Sequence, residues 1–151
     1  MRKIFILLII LYGQLYALER ESTLKMYHGI FSALSSKVSI NVYTNDKEYR
    51  DVFLHSNNIV LSTTVQESDI ALVTDERTLK NILYVKNTHR NFDKKPIIFV
   101  TNYHFLKISE EVVGAFYWRK GRSQLLFIKN RLKQYNITLP KEYKSFMIDE
   151  L

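Results

Sequence analysis

The chain has no cysteine among its 151 residues. That excludes disulfide bridges, thiolate metal sites, a thiol nucleophile and a lipid attached to an N-terminal cysteine. Four glycines and two prolines are too few for a loop-rich fold. The glycines stand alone at 13, 29, 114 and 121, so no glycine-rich phosphate loop can be built from them. His28, His55, His89 and His104 are scattered, with no pair at metal-ligand spacing. Ser62, Ser109 and Ser123 lack the strand-turn-helix context of a nucleophile elbow. Asp69 and Asp75 flank an apolar run, where α/β folds place sites, but a loop end and a helix first turn account for both. No catalytic constellation remains, so a chain without enzymatic activity, cofactor or metal is expected.

What is present is a hydrophobic fraction of 46%, that of a globular domain with a real core. The length fits one ordinary domain. The N-terminus reads as a targeting segment. Arg2 and Lys3 precede an apolar run from Ile4 to Tyr12, broken at Gly13, and Leu15-Tyr16-Ala17 offers a cleavage site. The run is short for a bilayer span, and charge resumes at Glu19, Arg20 and Glu21. The expectation is a signal peptide over 1–17 and a single α/β domain over 18–151, periplasmic and without stable membrane insertion after cleavage. The rival is an uncleaved signal anchor, because Leu15 is larger than the residue usual there. Both put the domain outside the cytoplasm, which argues against nucleic acid as a partner. The net charge of +7 includes Arg2 and Lys3. The remaining excess suits an acidic partner, an anionic lipid or no specific partner at all.

Periodicity gives the order of elements. Leu24, Tyr27, Ile30, Phe31 and Leu34 predict an amphipathic helix over about 22–35. Val38, Ile40 and Val42 alternate as a strand that ends at Thr44-Asn45-Asp46, a helix cap for 46–55. Ile59-Val60-Leu61 is a short strand. The runs 69–73 and 97–100 are apolar throughout, as in strands buried on both faces, with a helix after Thr74-Asp75 between them. A polar stretch from Lys86 to Lys95 precedes Pro96, and helices are expected from Arg131 and from Pro140 to Asp149. Strands alternating with helices predict a three-layer, Rossmann-like α/β domain, its sheet mostly parallel, with a C-terminal antiparallel hairpin.

That hairpin turns at Lys120-Gly121. Arg119 then opposes Arg122, Trp118 opposes Ser123, Tyr117 opposes Gln124 and Phe116 opposes Leu125. Period two puts Gly114, Phe116, Trp118, Leu125 and Phe127 on one face, expected to be the core face and to bury Trp118. Tyr117, Arg119, Arg122 and Gln124 share the other. Like charges directly opposed are mildly destabilising. Either both arginines reach water, or they embrace an anion or an acidic partner; in the second case Tyr117, Arg119, Arg122 and Arg131 are the candidate partner-binding residues.

From Lys25 onward the order of features resembles the YfiR-type periplasmic regulators. The segments LKMYHGIFSAL, SDIALV, KPIIFVTN and VGAFYWRKGRSQLLFIKNRL stand where that family has its opening helix, Asp-bearing middle strand, Pro-led strand and closing Gly-plus-hairpin segment. The likeness is one of pattern and order over nearly all of the chain after the leader. It implies a non-enzymatic periplasmic regulator that senses a condition or restrains the outer part of a membrane signalling protein. This chain is shorter, has a more basic and aromatic hairpin, and lacks the family's cysteines, so thiol redox control does not carry over. A small periplasmic solute-binding protein related to transporter receptors is the alternative. It leaves room for a small-molecule ligand, but such receptors need two lobes and about twice this length.

Overall fold

The computed structural model describes the backbone of residues 2–88 and 95–151, and the side chains from residue 16 onward within those ranges. His89 and most of the polar stretch before Pro96 lie outside the described residues. The chain opens with one unbroken helix, α1 (Arg2–Leu34), longer than the segment that periodicity predicts. The expected cleavage site after Ala17 falls inside it. Then come β1 (Ile40–Tyr43), α2 (Lys47–Phe53), β2 (Ile59–Leu61), β3 (Ile70–Val73), α3 (Glu76–Thr88) and β4 (Ile97–Val100). A 3-10 helix at Tyr103–Lys107 leads into β5 (Val112–Arg119), β6 (Arg122–Ile128) and α4 (Lys129–Gln134). A second 3-10 helix, Lys141–Phe146, ends in β7 (Met147–Ile148).

All seven strands form one sheet in the order β2-β1-β3-β4-β5-β6-β7. Neighbours are parallel throughout except β5 and β6, which pair as an antiparallel hairpin. The chemistry of each element explains its place. Ile70, Ala71, Leu72 and Val73 are all buried, as a strand covered on both faces requires. The carboxylate of Asp46 accepts from the backbone N–H groups of Glu48 and Tyr49 at 2.9 and 3.2 Å and so starts α2. Asp75 does the same for α3 through Thr78 N at 2.8 Å.

Two apolar layers sandwich the sheet. On one side Tyr27, Ile30, Phe31 and Leu34 of α1 pack with Phe53 of α2, Leu132 of α4, and the sheet residues Phe99 and Phe127. On the other, Leu79 and Ile82 of α3 pack with Phe105 and Leu106 against Val73, Ile98, Val100 and Ala115. Tyr27 anchors the first layer. Its ring meets Phe31, Tyr49, Phe53 and Phe116 with centroids 5.2 to 5.9 Å apart. Its hydroxyl bonds that of Tyr49 at 3.2 Å, and burial pushes the Tyr27 hydroxyl pKa far up.

Three expectations are corrected. The segment after Pro140 is a 3-10 helix of six residues running into a strand, not an α-helix: Pro140 sits at the cap with extended backbone (φ −55, ψ 158), outside the first helical turn. The helix expected from Arg131 starts earlier, at Lys129, and ends at Gln134. Trp118 is not in the core. Gly114, Phe116, Leu125 and Phe127 do face α1, but β5 outruns its covering layer, and Trp118 is 72% exposed. Trp118→Ala is therefore expected to change unfolding free energy by under about 1 kcal/mol, the range for surface substitutions, and not by the several kcal/mol of a buried indole. Urea denaturation followed by far-UV circular dichroism checks this; a loss above about 2 kcal/mol would mean that the indole is packed.

Candidate functional site

In open α/β sheets ligands bind beyond the carboxyl ends of the strands, at the point where the strand order reverses. Here that point lies between β1 and β3, whose following helices go to opposite faces of the sheet. The turns Thr44-Asn45-Asp46 and Thr74-Asp75 border it. Asn45 closes it: its Nδ2 donates to Thr78 Oγ1 at 2.6 Å and to Asp75 Oδ2 at 3.3 Å. Asp75 also caps α3, and these hydrogen bonds, that from Thr78 N foremost, hold its carboxyl below the usual carboxylate range. Thr44 is fully buried, and its carbonyl accepts from Arg50. Asn45, Thr78 and Asp75 are thus bonded to one another across the crevice.

The same edge of the sheet carries the hairpin tip. β5 and β6 pair in the register the sequence predicts, from Phe116 opposite Leu125 to Arg119 opposite Arg122. Lys120 and Gly121 have φ of 50 and 75°, the left-handed conformations a tight two-residue turn demands. Arg119, Lys120 and Arg122 are exposed, and among the described residues none of them forms an ion pair. With Gln124 they line a shallow basic groove. Tyr117 lies beneath it, its ring 5.4 Å from that of Tyr103, over which Lys107 sits at 5.5 Å. On the other face Trp118 borders a second groove with Tyr16, Glu19, Arg20 and Thr23 of α1 and Glu48 and Tyr49 of α2.

Of the four residues nominated from sequence, the structure thus brings together Tyr117, Arg119 and Arg122, and it places Arg131 elsewhere. Arg131 Nη1 donates to the carbonyls of Leu106, Ser109 and Val112, each at 2.9 Å. Val112 begins β5 and Arg119 ends it, seven residues or about 23 Å apart. Arg131 is a clamp on the entrance to β5. Burial lowers its pKa.

Two charged pairs went unseen in the sequence because each joins residues far apart in the chain. Lys86, almost wholly buried, pairs with Glu111 and donates to Tyr135 Oη at 3.3 Å. Asp69, 3% exposed, accepts from Lys37 Nζ at 2.8 Å and from Asn41 N at 3.0 Å. It precedes β3, at the sheet edge opposite the hairpin tip. Among the described residues no group of three or more His, Cys, Asp or Glu is placed to hold a metal ion, and no helix is long and apolar enough to cross a membrane.

The class this fold defines is the Rossmann-like α/β domain, with the parallel order β2-β1-β3-β4-β5 extended by a hairpin and a short seventh strand. The chain matches no protein-family model, no curated protein and no solved structure.

Proposed function

We propose that this chain is an exported regulatory domain, without catalysis of its own, that restrains or senses the periplasmic part of a membrane signalling protein through protein–protein contact at the hairpin end. One observation carries the reading. Arg119 stands directly opposite Arg122 on a tight turn, and among the described residues neither forms an ion pair with an acid. Like charges placed so cost stability, and a local violation of that kind suits a recognition surface that an acidic partner completes. The signal-peptide pattern of residues 1–17 and the resemblance to YfiR-type regulators support the location and the type of partner. The bonds that tie Asn45 to Thr78 and Asp75 across the crevice between β1 and β3 support a protein partner over a small solute.

The test is the variant Arg119→Ser/Arg122→Ser, compared with wild type for capture of a partner from a detergent extract of the envelope. Folding is expected to be unchanged or slightly improved, since exposed charges contribute under about 1 kcal/mol. Capture is expected to weaken roughly tenfold or more at low salt and to lose most of its salt dependence, because such charges act mainly on association. Equal binding of variant and wild type at low salt would show that the tip is a solvated turn.

A further inference from the structure

β6 has an open side. Residues that flank a two-residue turn exchange both backbone hydrogen bonds, and along the hairpin such pairs alternate with pairs that exchange none. Lys120-Gly121 is a turn of this kind. Arg122, Gln124 and Leu126 therefore direct their backbone groups at β5, while Ser123 and Leu125 direct theirs away from it. On that outer side β7 pairs with Phe127 and Ile128 and ends the sheet. Among the described residues no strand covers Arg122 to Leu126, about 17 Å of edge. The Ser123 carbonyl accepts from the side-chain amide of its own neighbour Gln124 at 3.0 Å, a local bond that an incoming N–H can replace.

We propose that this edge receives an extended segment of the protein partner as an added strand, acidic on one face and apolar on the other. The proposal rests on the hairpin end being the partner surface, and adds how the partner is held there. The N–H and C=O groups of Ser123 and Leu125 give such a strand its hydrogen bonds, and the alternating side chains give selectivity. Arg122 and Gln124 stand on one face, next to Arg119 and Tyr117 of β5. A carboxylate carried opposite Arg122 meets two guanidinium groups that stand directly across the hairpin from each other. Ser123 and Leu125 stand on the other face, next to Trp118 and Phe116. Apolar side chains suit that face. Ser123 is small, the indole beside it is largely exposed, and the acids bordering the Trp118 groove, Glu19 and Glu48, disfavour a carboxylate. Asp75 and Glu76 follow β3, three strands or roughly 14 Å in from β6, and Asp46 follows β1, one strand further.

The edge lacks the usual guards. Exposed edge strands are commonly kept short or interrupted by charge, proline or a bulge. The opposite edge, β2, has only three residues. From Ser123 to Leu126, β6 carries no charge and no proline. A second copy of this chain could pair there too, but it would bring another Arg119, Lys120 and Arg122 to the same edge, and the segment from 119 to 126 holds no acid for either copy.

The probe is a fluorescein-labelled short peptide in which glutamate and valine alternate, mixed with the full chain and followed by anisotropy. A block peptide of the same composition is expected to bind roughly tenfold more weakly, because only the alternating order puts acids and valines on opposite faces. An added strand meets β6 with every second amide. Methylating the central valine amides in one peptide and the central glutamate amides in another should therefore cost roughly tenfold in one case and leave the other unchanged. Ser123→Pro removes an outward N–H without touching the pairing with β5, as proline on an edge strand does. It is expected to fold and to lose roughly tenfold in affinity for the alternating peptide; the methylated peptides test the same bonds on the wild-type chain. No binding of the alternating peptide, equal affinity for the block peptide, or equal effects of the two methylations would overturn the proposal. So would a wild-type dimer in sedimentation that Ser123→Pro abolishes, which would give the edge to a second copy. Capture from the envelope extract separates this proposal from the reading beneath it. If Ser123→Pro captures partner as wild type does and Arg119→Ser/Arg122→Ser does not, the added strand is wrong and the tip remains the partner surface. If both capture as wild type does, the tip reading falls as well.

Discussion

Alanine in place of Gly114 is expected to destabilise the domain by roughly 3 kcal/mol or more, although the change adds one methyl group. A Cβ at this position would lie 2.6 Å from the carbonyl oxygen of Leu126, 2.9 Å from a ring carbon of Phe127 and 3.0 Å from one of Phe99. None of the three can move easily. The carbonyl belongs to β6, whose backbone is paired with β5 across Ala115 and Leu126. Phe99 and Phe127 are fully buried, with ring centroids 5.9 Å apart. Overpacking of a filled core costs about 1–3 kcal/mol when side chains can shift; here the nearest obstacle is backbone, so the hairpin must part from its own partner strand. Gly121 gives the control. Nothing lies within 4 Å of a Cβ built there, and its φ of 75° makes alanine strained by only about 1–2 kcal/mol. Denaturant unfolding of the two variants checks the order; Gly114→Ala as stable as Gly121→Ala would refute the packing argument.

The hairpin also shows how far the sequence could be read and where reading stopped. A turn residue that tolerates positive φ, flanked by alternating residues, fixes a register, and every pair from Phe116–Leu125 to Arg119–Arg122 follows from Lys120-Gly121 alone. The same alternation states which face a side chain occupies. It does not state how far the opposite layer extends. Trp118 lies on the face of Phe116, yet Phe116 meets the ring of Tyr27, while Trp118 only borders an open groove with Tyr16 of α1 and Tyr49 of α2 and stays 72% exposed. The apolar runs that became β3 and β4 were legible because strands buried on both faces need no polar alternation. β7 was not: two residues, Met147 and Ile148, carry no period, and their pairing with Phe127 and Ile128 is set by tertiary contact.

Part of the candidate site was legible for the same local reasons. Tyr117, Arg119 and Arg122 are neighbours through the turn, so local register was enough to assemble them. The crevice was only half legible. Asp75 was placed beside a helix start, and its carboxylate caps α3, but Asn45 reaches it across 30 residues of chain, and nothing in either segment announces the other. Lys86 and Glu111 have the same character, and so do Lys37 and Asp69.

Arg131 failed as a site residue for a further reason: a basic side chain near a basic turn in sequence is not near it in space once a strand of seven residues intervenes. Its observed role leads to the second large effect. Arg131→Met keeps the unbranched apolar stem of the side chain, without the guanidinium head, and so removes the donors. Three carbonyls then lose their partner, and those of Leu106 and Val112 belong to fully buried residues where water is a poor substitute. Nη1 has two hydrogens for three acceptors, so at least one is shared, and about two full charge-assisted bonds are at stake. At roughly 1.5–3 kcal/mol each, reduced for the part of the side chain in contact with solvent, a loss of about 3 kcal/mol is expected. Arg131→Lys separates this geometry from a planar fork. Three acceptors converge on one nitrogen, and an ammonium offers three donors on one nitrogen, so lysine should recover part of the stability despite its shorter reach. At a site that needed a bidentate guanidinium it would recover little. Affinity distinguishes the clamp from the tip: folded Arg131→Met should capture partner as wild type does, while Arg119→Ser/Arg122→Ser should fold as wild type and capture poorly. If Arg131→Met proves as stable as wild type and weak in capture, the assignment of the two roles is reversed.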